Sequence, residues 1–280
     1  TPPGSTLIIA TGFCHPEHLP AGETDGPPGA AALARAVRLG LHSTPLIIGE
    51  AAIEAPVRAC VESLGLHLCA EVSVASRDPF GVAFQAFPTA VAPARAAAAR
   101  LLEQYRPAAI VVTEKVGPNR LGVAHSAMGL AIPEGARSLV EYLLEAASAF
   151  GVPTIGVGDN GNDMGFGMIE ALVRQYKPYG DVCQCPCAAG LATVTRTTHL
   201  VTAAVANWGA YGIVTCLAAL CRTPEVLHSA ATERQMLAAC VQAGAADGIT
   251  GRREATVDAL PAAVHASIVE LLGALIAKVT

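Results

Sequence analysis

Six consecutive residues, Gly158-Asp159-Asn160-Gly161-Asn162-Asp163, hold two carboxylates and two carboxamides. A tight turn needs only one or two such side chains. The surplus is an oxygen-rich donor set suited to a hard cation or a polar ligand. Two further acidic stretches stand apart from it in the chain: Glu23-Thr24-Asp25-Gly26, and Glu114.

The elements that must position these residues are legible from periodicity. Thr6 to Thr11 reads as a buried strand, and a polar loop follows to Gly26. Pro27-Pro28 open a helix with Leu33, Val37 and Leu41 on its core face, and Thr44 to Gly49 is the next strand. A helix over 50–66 precedes short strands beginning at Leu66 and at Glu71 to Ala75. Residues 77–93, with Pro79, Gly81, Pro88 and Pro93, read as loop or broken structure that could mark a small inserted segment. A helix from Pro93 to Tyr105 leads to the strongest β signal, Ala109 to Thr113, which Glu114 ends.

A helix over 134–150 then leads to a strand at Val152 to Val157 and the six-residue loop. Asp163 is placed to cap the helix that follows, whose expected apolar face is Ile169, Leu172, Val173 and Tyr176. Residues 191–206 are β-like, helices are expected from Asn207 to about Cys221 and over 224–243, and a polar loop runs from Asp247 to Asp258. The terminal helix starts at Pro261 with Val264, Ile268, Leu271 and Leu275 as its buried stripe. Alternating strands and helices predict a three-layer α/β fold: a mostly parallel, doubly wound sheet with helices on both faces, in one domain spanning 1–280.

In such sheets ligands bind beyond the carboxyl ends of the strands. The three acidic stretches all fall at strand ends, so a shared crevice is expected rather than three unrelated turns. Asn207 and Tyr211 are candidates to line it, and an arginine of the 247–258 loop could grip a carboxylate through two hydrogen bonds. Cys183-Gln184-Cys185-Pro186-Cys187 resembles a metal knuckle, with His199 and His15 as available partners. Alternate spacing along a short strand would splay the sulfurs, however, and the expectation is buried or half-buried thiols.

Other classes are excluded. The chain has a net charge of −5 and no basic run, which argues against a nucleic-acid surface. It is 52% apolar, but the long apolar runs are broken by polar residues; the last helix carries His265, Glu270 and Lys278, and a soluble protein is expected. Nine scattered cysteines suit a reducing compartment, and no secretory signal is present. A start at Thr1 rather than Met is compatible with a removed tag, transit peptide or preceding domain. No Walker loop, no GxGxxG after the first strand and no GxSxG elbow occurs. The loop at 158–163 resembles the magnesium loop of haloacid-dehalogenase phosphatases, but the nucleophilic Asp they need after the first strand is missing from Ala10-Thr11-Gly12-Phe13.

Four stretches together resemble the C-terminal domain of the D-glutamate cyclase family: Gly22 to Gly29, Gly158 to Asp163, Ala206 to Tyr211, and Asp247 to Asp258. Asn160 and Asp163 depart from the residues that family favours. The resemblance implies conversion of D-glutamate to 5-oxo-D-proline with loss of water, with a second, hydro-lyase-like domain as partner. A carboxylate is a poor electrophile and must be polarised by a cation or an acid. The implied metal set is Asp159, Asn162 and Asp163, holding Mg²⁺ or Mn²⁺. The implied catalytic set is Glu23, Asp25 and Glu114, with Glu23 or Asp25 as general base and Glu114 also near the ion. Thr24, Asn119, Asn207, Thr250, Arg252 and Glu254 are the implied substrate contacts. The competing expectations are a non-catalytic amino-acid-binding domain that regulates a hydro-lyase and, further off, a metal-dependent phosphatase. A homodimer is an expected assembly, and the expected location is the cytoplasm, or the mitochondrial matrix if a transit peptide has been removed.

Overall fold

The computed structural model describes residues 2–279. Seven parallel strands form one sheet in the order β3-β4-β2-β1-β5-β6-β7: β1 (Thr6–Thr11), β2 (Thr44–Gly49), β3 (His67–Cys69), β4 (Gly81–Ala86), β5 (Ala109–Thr113), β6 (Thr154–Gly158) and β7 (His199–Thr202). Helices cover both faces, giving the expected three-layer α/β architecture. On one face α1 (Pro27–Arg35), α2 (Glu54–Ser63), α7 (Ala206–Cys221), α8 (Ala230–Gln242) and α9 (Ala262–Val279) pack over Ile9, Ile47, Val111 and Val157. On the other, α3 (Val72–Ala75), α4 (Val91–Tyr105) and α5 (Glu141–Ala149) pack over Ile8, Ala10, Ile48 and Val112. The alternation of these residues along β1 and β5 follows the two-residue period of a strand buried on both sides.

The chain moves from β1 outward to β2, β3 and β4, then crosses back to β5 on the other flank of β1. That reversal makes the carboxyl ends of β1 and β5 the topological switch point, the usual place for a ligand in such sheets. Register brings the acidic loops to one level there. Thr11 pairs with Thr113, and Thr113 with Val157, so Gly12, Glu114 and Gly158 leave the sheet side by side.

Several local expectations are corrected. Residues 71–75 contain helix α3, not a strand, and the segment read as broken at 77–93 contributes β4. Val82, Ala83 and Phe84 are buried between β2 and β3, a placement that outweighs the weak local signal of a strand flanked by prolines. The β-like stretch 191–206 supplies only β7. Helix α5 starts at Glu141, later than expected, because residues before it are tied to neighbours: the Ser138 N–H donates to Glu50 at 2.6 Å. Helix α6 (Glu170–Tyr176) begins well past Asp163, which therefore does not cap it, and Leu172 and Tyr176 on its expected apolar face are exposed.

The stripe of α9 is also rotated. His265, Ala266, Val269 and Ile276 are buried, whereas Leu271 is 64% and Leu275 54% exposed. The Trp208 Nε1–H donates to His265 Nδ1 at 2.8 Å, which turns the helix so that a polar residue faces inward. Among the described residues α9 alone is long and apolar enough to cross a membrane, by length and composition.

Candidate functional site

Neither α1 nor α7 is capped by its own N-cap side chain. Asp25 accepts hydrogen bonds from the N–H groups of Ala206 and Asn207 at the start of α7, both at 2.8 Å. Asn207 Oδ1 accepts from Gly26 and Gly29 at the start of α1, at 3.0 and 2.7 Å, and its Nδ2–H donates to the Thr24 carbonyl. Gly26 sits at φ +99°, which only glycine adopts without strain. The two helix N-termini are thus fastened together at the switch point, and their dipoles favour negative charge there.

Around this clasp the carboxylates converge. Asp25, Glu114 and Asp159 each offer an oxygen to one point, with these atoms all within 4.8 Å of one another. Glu114 reaches it from a strained backbone, φ +47°, at the abrupt end of β5. Asp163 lies behind Asp159: its Oδ2 accepts the Asp159 N–H at 3.1 Å, and a side chain at Gly158 would collide with it.

Glu23 is buried and makes no side-chain hydrogen bond among the described residues. Its Oε2 fills the space a Cβ on Gly248 would occupy, only 1.8 Å from that position. The 247–258 loop is strung onto this edge by backbone bonds, Thr24 N–H to Ala246 and Ala246 N–H to Gly22, and by the Thr24 hydroxyl on the Thr256 carbonyl.

Electrostatics follow from the crowding. Burial, then neighbouring carboxylates led by Asp25, raises Glu23 well above the ordinary range. Burial, then Asp258, raises Asp25 against the pull of its backbone N–H partners. Burial, then Asp163 and Asp159, raises Glu114. Asp159 is pushed up to about 10, again by burial and then by Asp163, and Asp163 to about 6 by burial despite its backbone hydrogen bonds. Lys177 donates to Asn160 Oδ1 at 2.5 Å and pulls Asp163 downward, and it pulls Asp258 downward together with His265. Glu114 Oε2 and Asp163 Oδ1 are buried with no hydrogen-bond partner. Orphaned carboxylate oxygens beside a three-carboxylate focus are the donor set of a hard divalent cation, and Asp25, Glu114 and Asp159 are the residues that could hold one.

The other expected residues are placed as follows. The Asn162 side chain turns away and donates to the His125 carbonyl at 3.0 Å. Asn119 is buried but occupied elsewhere, donating to Gly190 O and accepting from Leu121 and Val123. Asn207 belongs to the clasp. Tyr211 is in the core, its hydroxyl donating to the buried Glu233. Thr250, Arg252 and Glu254 lie on the exposed part of the late loop, with Arg252 and Glu254 3.9 Å apart in solvent. Asp258 and Gly248 enter the acidic group instead. Asp258 raises Glu23, Asp25 and Asp159, a role visible in the sequence only as one more polar residue of that loop.

Beneath the edge, Lys115 is fully buried and donates to both oxygens of Glu50, at 2.5 and 2.6 Å, and to the Gly12 carbonyl at 2.8 Å. This ion pair ties the ends of β1 and β5 to the end of β2.

A doubly wound parallel sheet with a cluster of buried carboxylates at its switch point defines an α/β protein whose Asp25, Glu114 and Asp159 could hold a metal ion. The chain belongs to the D-glutamate cyclase-like, C-terminal family, whose model matches residues 3–273. It is 28% identical over 280 residues to human "D-glutamate cyclase, mitochondrial", covering 97% of this chain and 40% of that protein. The chain therefore spans well under half of the curated relative's length.

Proposed function

We propose that this chain acts on D-glutamate, converting it to 5-oxo-D-proline and water, at the acidic pocket between β1, β5 and β6. The observation that carries this reading is the convergence of Asp25, Glu114 and Asp159 in a member of the D-glutamate cyclase-like family. In the reaction the amine nitrogen bonds to the side-chain carboxyl carbon and one C–O bond breaks. Two of the three ammonium protons leave with that oxygen as water, and the third stays on the ring nitrogen.

A Mg²⁺- or Mn²⁺-type ion held by Asp25, Glu114 and Asp159 would supply polarisation of the side-chain carboxyl. Glu23 is the group free to take an ammonium proton, because it makes no side-chain hydrogen bond, whereas the Asp25 oxygens accept from Gly26, Ala206 and Asn207. Burial, and then the surrounding carboxylates led by Asp25, raise Glu23 well above the ordinary carboxylate range, which strengthens it as a proton acceptor once ionised. Asp163, raised to about 6 and bonded to the Asp159 N–H, would be the group to supply a proton to the departing oxygen. Arg252, exposed on the late loop, is the residue proposed to reach the α-carboxylate.

The test is incubation of the purified chain with D- and L-glutamate, with and without Mg²⁺ or Mn²⁺, followed by chiral analysis for 5-oxoproline. Metal-dependent product from the D isomer supports the reading. Saturable binding of glutamate without product supports the second one, a non-catalytic amino-acid-binding domain serving a hydro-lyase partner. That reading is favoured by the 60% of the human relative that lies outside the match, the complement of the 40% covered.

A further inference from the structure

We propose that Cys183, Cys185, Cys187 and His125 form a second metal site, a closed tetrahedral Cys₃His centre for a thiophilic ion of the zinc type. It is separate from the acidic pocket in ligand chemistry and independent of the function proposed for that pocket.

The cysteines do not splay, because residues 181–190 are turns rather than a strand. Three sulfurs face one another at 3.5 Å (Cys183 to Cys185), 3.3 Å (Cys183 to Cys187) and 3.3 Å (Cys185 to Cys187). His125 Nε2 closes the group at 3.2 Å from Cys185 Sγ and 3.5 Å from Cys187 Sγ. With metal–sulfur bonds near 2.3 Å and metal–nitrogen bonds near 2.0 Å, an ideal tetrahedron has S···S edges of roughly 3.8 Å and S···N edges of roughly 3.5 Å. The four ligand atoms already lie close to those vertices.

A disulfide would instead draw one pair of sulfurs to about 2.0 Å and leave the third outside; here the three are nearly equidistant. Neither His15, half-buried near the start of the chain, nor the exposed His199 belongs to the group. The fourth ligand comes from a residue about sixty positions earlier, on the loop after β5. His125 is fully buried, and its Nδ1 has no hydrogen-bond partner, so its ring makes polar contacts only through Nε2 toward the sulfurs.

The surroundings suit a thiolate centre. The Asn119 Nδ2–H donates to Cys187 Sγ at 3.6 Å as well as to Gly190 O at 2.7 Å, the kind of outer contact that steadies a metal-bound sulfur. Gln184 fastens the cysteine turn to the same loop, its backbone N–H on Gly129 O and its side chain on Met128 O. Four protein ligands leave no open coordination position, so the centre is structural rather than catalytic. What it would hold in place is the floor of the acidic pocket: the Asn162 side chain donates to the His125 carbonyl, and Asp163 is the next residue.

The experiment is metal analysis of the full chain purified without chelator, followed by exchange with Co²⁺. The expected result is about one zinc per chain, and a cobalt form with the intense visible bands of a tetrahedral ion plus thiolate-to-cobalt charge transfer in the near ultraviolet. Cys185→Ser and His125→Ala should each lower zinc affinity at least about tenfold. Asp159→Ala and Cys216→Ser, which lie outside the centre, should retain the stoichiometry. Should the cysteine variants fail to fold, the cobalt spectrum of the unaltered chain still decides. The proposal is overturned by absence of zinc together with an octahedral cobalt spectrum, or by a disulfide among Cys183, Cys185 and Cys187 in non-reducing peptide mapping.

Discussion

Asp25 and Asn207 cap each other's helices: the Asp25 carboxylate receives the first N–H groups of α7, and the Asn207 carboxamide receives those of α1. A residue that serves as half of a clasp and as one of three convergent carboxylates makes the pocket and the fold hard to separate. Asn207→Ala should test the clasp alone. It leaves the buried Gly29 N–H without an acceptor, while the Gly26 N–H keeps Asp25 Oδ1, at an expected cost of about 1–3 kcal/mol. Denaturant unfolding should show a lower midpoint with an unchanged slope.

Lys115→Met is expected to destabilise the chain by about 3–5 kcal/mol, because Glu50 is left charged and unpaired in the interior. The double change Lys115→Met with Glu50→Leu should recover part of that loss, since it removes the unpaired charge but leaves the buried Ser138 N–H and Gly12 carbonyl without their partners. Equal instability of the single and double variants in thermal melts would show that the Gly12 carbonyl, not Glu50, is the partner that matters.

Stability of the metal-free chain should fall as pH rises. The folded-state pKa values of Glu23, Glu114, Asp159 and Asp163 are raised, so the folded state binds more protons than the unfolded one. Stability is then fullest below the ordinary carboxylate range and is lost upward through it. For Asp163 the window runs from the ordinary 3.8 to about 6, and for Asp159 from 3.8 to about 10. Asp163 alone should account for a loss of about 3 kcal/mol. Millimolar Mn²⁺ or Mg²⁺ should reverse the trend at pH 8 by binding the ionised carboxylates, and melting curves across pH with and without metal check both signs.

Gly248→Ala should disturb Glu23 with little effect elsewhere on the sheet, because the added methyl group would meet Glu23 Oε2. If Glu23 is the base, both Gly248→Ala and Glu23→Gln should lower turnover of D-glutamate by about 100-fold or more. Cation binding, measured calorimetrically, should survive in both variants because Asp25, Glu114 and Asp159 remain. Turnover unchanged in Glu23→Gln would remove Glu23 from the chemistry.

The sequence by itself determined the alternation of strands and helices, the parallel sheet and the three acidic strand ends. Those signals are local: a two- or 3.6-residue period, a proline at a helix start, a run of polar residues after an apolar one. Parallel strands all point the same way, so loops that follow them must share an edge, and Glu23, Asp25, Glu114 and Asp159 could be gathered on that ground before any coordinates.

Only the tertiary structure decided the partners. Asn207 on Asp25, Gly248 against Glu23, Asp258 beside Asp159 and His125 among the cysteines join segments remote in the chain, and no short-range pattern encodes which of them meet. The same holds for rotation. A mostly apolar helix such as α9 can bury more than one stripe; the one that faces inward packs Val269 and Ile276 into the core and lets His265 accept from Trp208. Asp163 shows the limit at closest range: its type suits a helix cap, but α6 begins too late, and the side chain is spent on the backbone of Asp159.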